Sequence, residues 1–134
     1  MQTDHIGIAV QDLEVAIKTY EKILDTPCYK REIVESQKVE TAFFRTGDSK
    51  VELLGATSPE SVIHTFIEKH GQGVHHIAFE VDDIENEMER LRDNGFTFIN
   101  NEPLPGADNK RICFLHPKGS HGVLIELCES IKLP

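Results

Sequence analysis

An α+β fold of two tandem βαβββ modules, related by a pseudo-twofold and forming one curved sheet, is the architecture this 134-residue sequence predicts. The first observation is a repeat. His5-Ile6-Gly7-Ile8-Ala9-Val10-Gln11-Asp12-Leu13-Glu14 recurs in register as His76-Ile77-Ala78-Phe79-Glu80-Val81-Asp82-Asp83-Ile84-Glu85, at an offset of 71. The second is a further echo in the same order, Val51-Glu52-Leu53-Leu54 against Ile125-Glu126-Leu127-Cys128, at an offset of 74. Two echoes at nearly one spacing indicate an internal duplication. The third is that each copy opens with a period-two run and continues with a helical stripe, which predicts a strand followed by a helix.

In the first copy Ile6, Ile8 and Val10 alternate with small residues and predict a strand that ends at Asp12. Asp12 is placed to cap a helix whose apolar stripe is Leu13, Ala16, Ile17, Tyr20, Ile23 and Leu24. Strands follow over about 39–45 and 50–54, joined at Gly47-Asp48-Ser49. Ser58-Pro59-Glu60 then opens a connecting helix carrying Val62, Ile63, Phe66 and Ile67, stopped by Gly71-Gln72-Gly73. In the second copy Ile77, Phe79 and Val81 form the strand. Asp83 caps a helix with Ile84, Met88 and Leu91, and Gly95 ends it. Strands over about 111–116 and 122–128 close the module, joined through Pro117-Lys118-Gly119. The whole chain, 1–134, reads as one domain: repeat 1 over about 3–57, a linker helix over about 58–71 and repeat 2 over about 74–130.

Strand parity turns the repeat into chemistry. His5 shares a face with Gly7 and Ala9, and His76 with Ala78, opposite the apolar residues that can pack on helices. Glu52 and Glu126 face away from Val51/Leu53 and Ile125/Leu127 by the same count. One histidine and one glutamate per copy therefore lie on faces expected to be free of helix and to border a hollow. Packed about a pseudo-twofold, the four converge, and the curved sheet surrounds a metal site. Two histidines and two carboxylates with open positions suit an octahedral divalent ion such as Co, Ni, Mn, Mg or Fe. Closed, cysteine-rich structural zinc is not indicated, so Zn enters only as an ion with open positions. Each residue alone has a plainer reading, a structural histidine and the solvent face of a strand; their joint recurrence favours the ligand reading. His75, with the opposite parity, is the alternative to His76, whereas His64, His70 and His121 read as solvated. Lys110, Arg111, His116 and Lys118 make a cationic cluster near the second hairpin, and the acidic run from Asp82 to Glu89 reads as an exposed helix face.

Composition narrows the class. Fourteen Lys+Arg against 23 Asp+Glu give a net charge of −9, which disfavours non-specific binding to nucleic acid or anionic membrane. Cys28, Cys113 and Cys128 form no CxxC pair and read as reduced thiols, and the N-terminus shows no signal-peptide pattern, so a cytoplasmic location is expected. No apolar run approaches the roughly 20 residues that span a bilayer.

Asp4-His5-Ile6-Gly7-Ile8-Ala9-Val10, Lys50-Val51-Glu52-Leu53-Leu54 and His75-His76-Ile77-Ala78-Phe79-Glu80-Val81-Asp82-Asp83-Ile84, with Phe114-Leu115-His116-Pro117-Lys118 and Gly122-Val123-Leu124-Ile125-Glu126-Leu127, carry a resemblance across the chain. It resembles the methylmalonyl-CoA epimerase family of the vicinal-oxygen-chelate superfamily, which also includes glyoxalase I. The resemblance implies a glyoxalase-like fold, one divalent metal on His5, Glu52, His76 and Glu126, and a homodimer. It also implies a catalytic carboxylate at Glu40, in Lys38-Val39-Glu40-Thr41. Some epimerases carry Gln where Glu52 stands and glyoxalase I carries Glu, so both branches stay open. The implied reaction is 2R/2S epimerisation of an acyl-CoA substrate, methylmalonyl-CoA, by proton abstraction and enolate stabilisation. Glu40 and Glu126 act as the acid/base pair. Of the cationic cluster, Lys118 and Arg111 are candidates to meet CoA phosphates, and His116 is a further substrate-binding candidate. A glyoxalase I-type lactoylglutathione lyase is the alternative enzyme, and a non-catalytic metal or small-molecule binding protein of the same fold is the alternative from another class.

Overall fold

The computed structural model describes residues 1–132. The chain divides into two compact units, one of His5–His75 and one that joins Met1–Asp4 to the chain from His76 onward. The elements of the first are β1 (Gln2–Ala9, whose first residues belong to the other unit), α1 (Leu13–Leu24), β2 (Lys30–Val34), β3 (Val39–Thr46), β4 (Ser49–Ala56) and α2 (Val62–His70). The second holds β5 (Gly73–Glu80, mostly), α3 (Ile84–Asp93), β6 (Leu104–Gly106), β7 (Lys110–Phe114) and β8 (Ile125–Ser130). Each unit thus has the expected βαβββ order. The strands run β2-β3-β4-β1 in the first and β5-β8-β7-β6 in the second.

In the first unit β1 pairs parallel with β4, and β3 pairs antiparallel with both β2 and β4. The β3–β4 hairpin turns at Gly47, whose φ of +66° suits a residue without Cβ, and this turn sets the register that places Phe43 across from Glu52. α1 begins where Asp12 accepts a hydrogen bond from the Val15 amide. Its Leu13, Ala16, Ile17, Tyr20 and Leu24 pack on Val10, Ala42, Phe44 and Leu53. A buried side chain such as Leu53 contributes about 1.5–3 kcal/mol by leaving water. Two stripe residues depart from expectation, since Ile23 and Ile6 remain exposed to solvent.

The connecting helix starts later than Ser58-Pro59 suggested. Ser61 Oγ accepts from the Ile63 amide, so Ser61 is the cap and Ser58–Glu60 form a turn before it. Ile63, Phe66 and Ile67 of α2 pack on Ala9, Val39 and Leu54. That corrects a second expectation: the face carrying His5 and Glu52 is not wholly free of helix, because α2 covers its far end.

In the second unit Asp83 caps α3 through the Asn86 amide, and Ile84, Met88 and Leu91 pack on Cys113, Leu115 and Leu127. β7 and β8 are displaced from the expected 111–116 and 122–128. His116–Ser120 is taken up by a 3₁₀ turn that the His116 Nδ1 caps by accepting from the Lys118 amide. His121 and Gly122 follow at φ +57° and +88°, conformations no strand adopts. The strands β2 and β6 were the unlocated members of each βαβββ order. β2 alternates half-buried and exposed residues, and β6 is three residues with a central Pro105, so neither carries a strong pattern.

Candidate metal centre

Register places the same four kinds of residue on one face in each unit. In the first, Gly7 and Phe43 flank Glu52 on the neighbouring strands. In the second, Ala78 and Phe114 flank Glu126. His5 stands two residues before Gly7, and His76 two before Ala78, so each histidine lies on the glutamate's face. The small residue leaves room beside the carboxylate, and the phenylalanine walls its other side.

Both pairs are closed. His5 Nδ1 lies 3.0 Å from Glu52 Oε2, and His76 Nε2 lies 3.4 Å from Glu126 Oε1, with all four side chains about 5% exposed. The His76 ring meets the Phe114 ring edge-on, 5.8 Å between centroids. Burying a carboxylate is costly unless a partner compensates, and a histidine nitrogen aimed at it is such a partner. The same donor set, imidazole nitrogen with carboxylate oxygen, holds borderline and hard divalent ions, so each pair fits half of a metal site.

Lys50 joins the first pair. It lies two residues from Glu52 on the same face, only 9% exposed, with Nζ 4.0 Å from Glu52 Oε2. Lys50 is as legible in the sequence as Glu52, since the parity count that places Glu52 on this face also places Lys50 beside it. Phe43 and Phe114 were likewise legible, since they recur at the histidines' offset of 71.

Glu40 is elsewhere. It pairs in register with Gly55, where an added Cβ would meet the Leu13 side chain at 3.2 Å, so it lies on the α1 face, opposite to Glu52. Its Oε2 accepts from Arg31 Nε at 2.9 Å, and Arg31 also pairs with Glu14 of α1. These hydrogen bonds push the Arg31 guanidinium above its ordinary range and hold Glu14 low. Glu40 thus ties β2 and β3 to α1 through Arg31, on the face opposite to Glu52.

The cationic cluster also dissolves into separate roles. Arg111 sits on the α3 face with Leu127, paired with Glu85 and, at 3.2 Å, with Glu129; the Glu85 hydrogen bond above all raises its pKa. Lys110 is buried, with Nζ 3.2 Å from Asp4 Oδ1 and 3.2 Å from Ser130 Oγ. His116 caps its turn, and Lys118 is exposed on that turn. His75 packs edge-on against Phe66 at 4.9 Å, away from the His76 face, and burial pushes its pKa down to about 4.

Residues 4–114 match the model of the Glyoxalase/Bleomycin resistance protein/Dioxygenase superfamily. The uncharacterised protein YqjC of Bacillus subtilis is 43% identical over 126 residues, covering 94% of this chain and 90% of that one. Ethylmalonyl-CoA/methylmalonyl-CoA epimerase of Cereibacter sphaeroides is 36% identical, covering 92% and 94%. A variant of Streptomyces coelicolor methylmalonyl-CoA epimerase, solved with 2-nitronate-propionyl-CoA, is 37% identical with a TM-score of 0.91, covering 98% of this chain and 99% of that one. At that identity and score the fold is shared.

Proposed function

The chain belongs to the glyoxalase/bleomycin resistance protein/dioxygenase superfamily, and we propose that it is an isomerase that interconverts the 2R and 2S epimers of methylmalonyl-CoA. The observation that carries the reading is the pair of buried His–Glu couples in equivalent register, His5 with Glu52 and His76 with Glu126. The epimerases among its relatives support the substrate. The four side chains together hold one divalent ion in this proposal. When bound, that ion supplies positive charge where negative charge develops on the substrate's oxygens.

The chain's own residues do the proton chemistry. The C2 proton lies between a thioester and a carboxylate. Glu126 removes it, the C–H pair delocalises into the thioester carbonyl, and a proton is returned to the opposite face of the planar carbon. Inversion requires one group on each face. With Glu40 on the α1 side of its sheet, we assign the second role to Glu52, the duplicate of Glu126 and the other carboxylate proposed at the metal. His5 and His76 orient the carboxylates, and the dry walls of Phe43 and Phe114 strengthen each charge.

Proton NMR of the metal-loaded protein with methylmalonyl-CoA in deuterium oxide tests the reading. C2-proton exchange is expected to require metal, to stop with chelator, and to fall by about a hundredfold or more in Glu126→Gln. Absence of exchange with every metal would overturn it and direct attention to hemithioacetal substrates. The resemblance also supports a second copy of the chain as partner, which sedimentation tests by a mass twice 15.1 kDa. A cytoplasmic location is supported by three cysteines free of disulfides. No helix among the described residues is long and apolar enough to cross a membrane.

A further inference from the structure

The two modules repeat their histidine, small residue, glutamate and phenylalanine, yet the substrate they are proposed to share is lopsided. On one side of C2 stands a neutral thioester carbonyl; on the other stands a charged carboxylate. A duplicated site can distinguish these ends only where its halves differ.

Along the strand that carries each glutamate, they differ at one charged position on its face. Two residues before Glu52 is Lys50, and two residues before Glu126 is Leu124. Two residues along a strand is roughly 7 Å, and the alternation returns the side chain to the same face. Lys50 is 91% buried, the remaining exposure being 9%, so its ammonium is held within the protein near Glu52 rather than projecting into solvent. The other buried lysine, Lys110, lies on the Glu126 face of its own module but four residues farther along, across from Ser130, with Asp4 at 3.2 Å. It hydrogen-bonds Asp4 and Ser130, whereas Lys50 pairs with Glu52 itself. The charge asymmetry on the glutamate-bearing strands therefore comes from Lys50 against Leu124.

Resting on the acyl-CoA reading above, we propose that Lys50 recognises the free carboxylate of the substrate. The site is thereby selective for acyl thioesters that carry a carboxylate on the carbon next to the carbonyl. An ammonium donates to a carboxylate through a charge-assisted hydrogen bond, the strong kind in a buried setting. The Leu124 side takes the neutral thioester end. The proposal also orders the two glutamates: Glu52 lies in the module that holds the carboxylate and Glu126 in the module that holds the thioester.

Titration calorimetry on the metal-saturated protein tests this with two ligands of one shape. Methylmalonyl-CoA carries the carboxylate, and isobutyryl-CoA replaces it with a methyl group. The wild-type protein is expected to prefer methylmalonyl-CoA by roughly tenfold or more, the range of a hydrogen bond to a charged group. Lys50→Met brings the ratio close to one by weakening methylmalonyl-CoA alone, and Lys50→Arg keeps most of the preference. Metal content and near-ultraviolet circular dichroism identify a misfolded variant, and Lys50→Gln then supplies the neutral substitution. An unchanged ratio in the folded neutral variant overturns the role of Lys50. A wild-type protein that binds neither ligand overturns the acyl-CoA reading instead, so the two failures are distinct.

Discussion

Phe43 lies directly across the β3–β4 ladder from Glu52, with its ring fully buried. Phe114 keeps that register with Glu126 across β7–β8. The aromatic wall is therefore as much a part of the duplication as the histidine and the glutamate. Its purpose follows from electrostatics: an apolar wall excludes water, lowers the local dielectric and makes each carboxylate depend on its histidine or a cation.

If the two pairs serve one ion, the metal-loaded protein holds one divalent ion per chain, read by elemental analysis after dialysis. His5→Ala and His76→Ala are each expected to weaken affinity by more than the roughly 10–100-fold that losing an outer-shell partner costs. Two ions per chain, with each substitution removing one of them, would show instead that the pairs bind independently.

Glu40→Gln tests the reassignment of that residue. The Arg31–Glu40 pair is partly exposed, at 38% and 27%, so solvent screening limits the expected loss of stability to less than about 1 kcal/mol in urea unfolding. C2-proton exchange should stay within about twofold of wild type, far from the loss of a hundredfold or more that removal of a general base produces. A collapse of exchange in this variant would restore Glu40 to the proton chemistry.

The thiols give a pH-dependent prediction. Burial pushes the Cys113 thiol up to about 12 and raises Cys128 as well, whereas Cys28 is only half-buried, its Sγ donating to the Lys30 carbonyl. At pH 8 a thiol reagent should label at most Cys28 in the native protein and all three cysteines after unfolding. The folded state keeps the Cys113 proton that the unfolded chain loses from about pH 9 upward, so this group's contribution to stability declines between about pH 9 and 12. Rapid native labelling of two or more thiols would contradict that burial.

Much of the fold was readable because its signals are local and repeated. The Asp12 and Asp83 caps, the stripe from Leu13 to Leu24 and the Ile8/Val10 alternation each lie within one or two turns of chain, where spacing alone dictates geometry. β2 and β6 were not placed, because edge strands such as Lys30–Val34 and Leu104–Gly106 bury little and so carry little pattern. The start of α2 at Val62 depended on which serine, Ser58 or Ser61, won the capping contact.

The residue types proposed as ligands, their duplication and the faces they share within a strand were determined by the sequence, since a period of two needs no partner. Only the tertiary structure decided which face of β3 Glu40 belongs to, because register across the Gly47 turn sets it, and a slip of one residue would have sent Glu40 to the Glu52 side. It also decided that Arg111 belongs to Glu85 and Glu129, and Lys110 to Asp4. Charges in a chain are free to pair with any of several partners. The choice is made by which strands and helices bring them within a few ångströms and away from water.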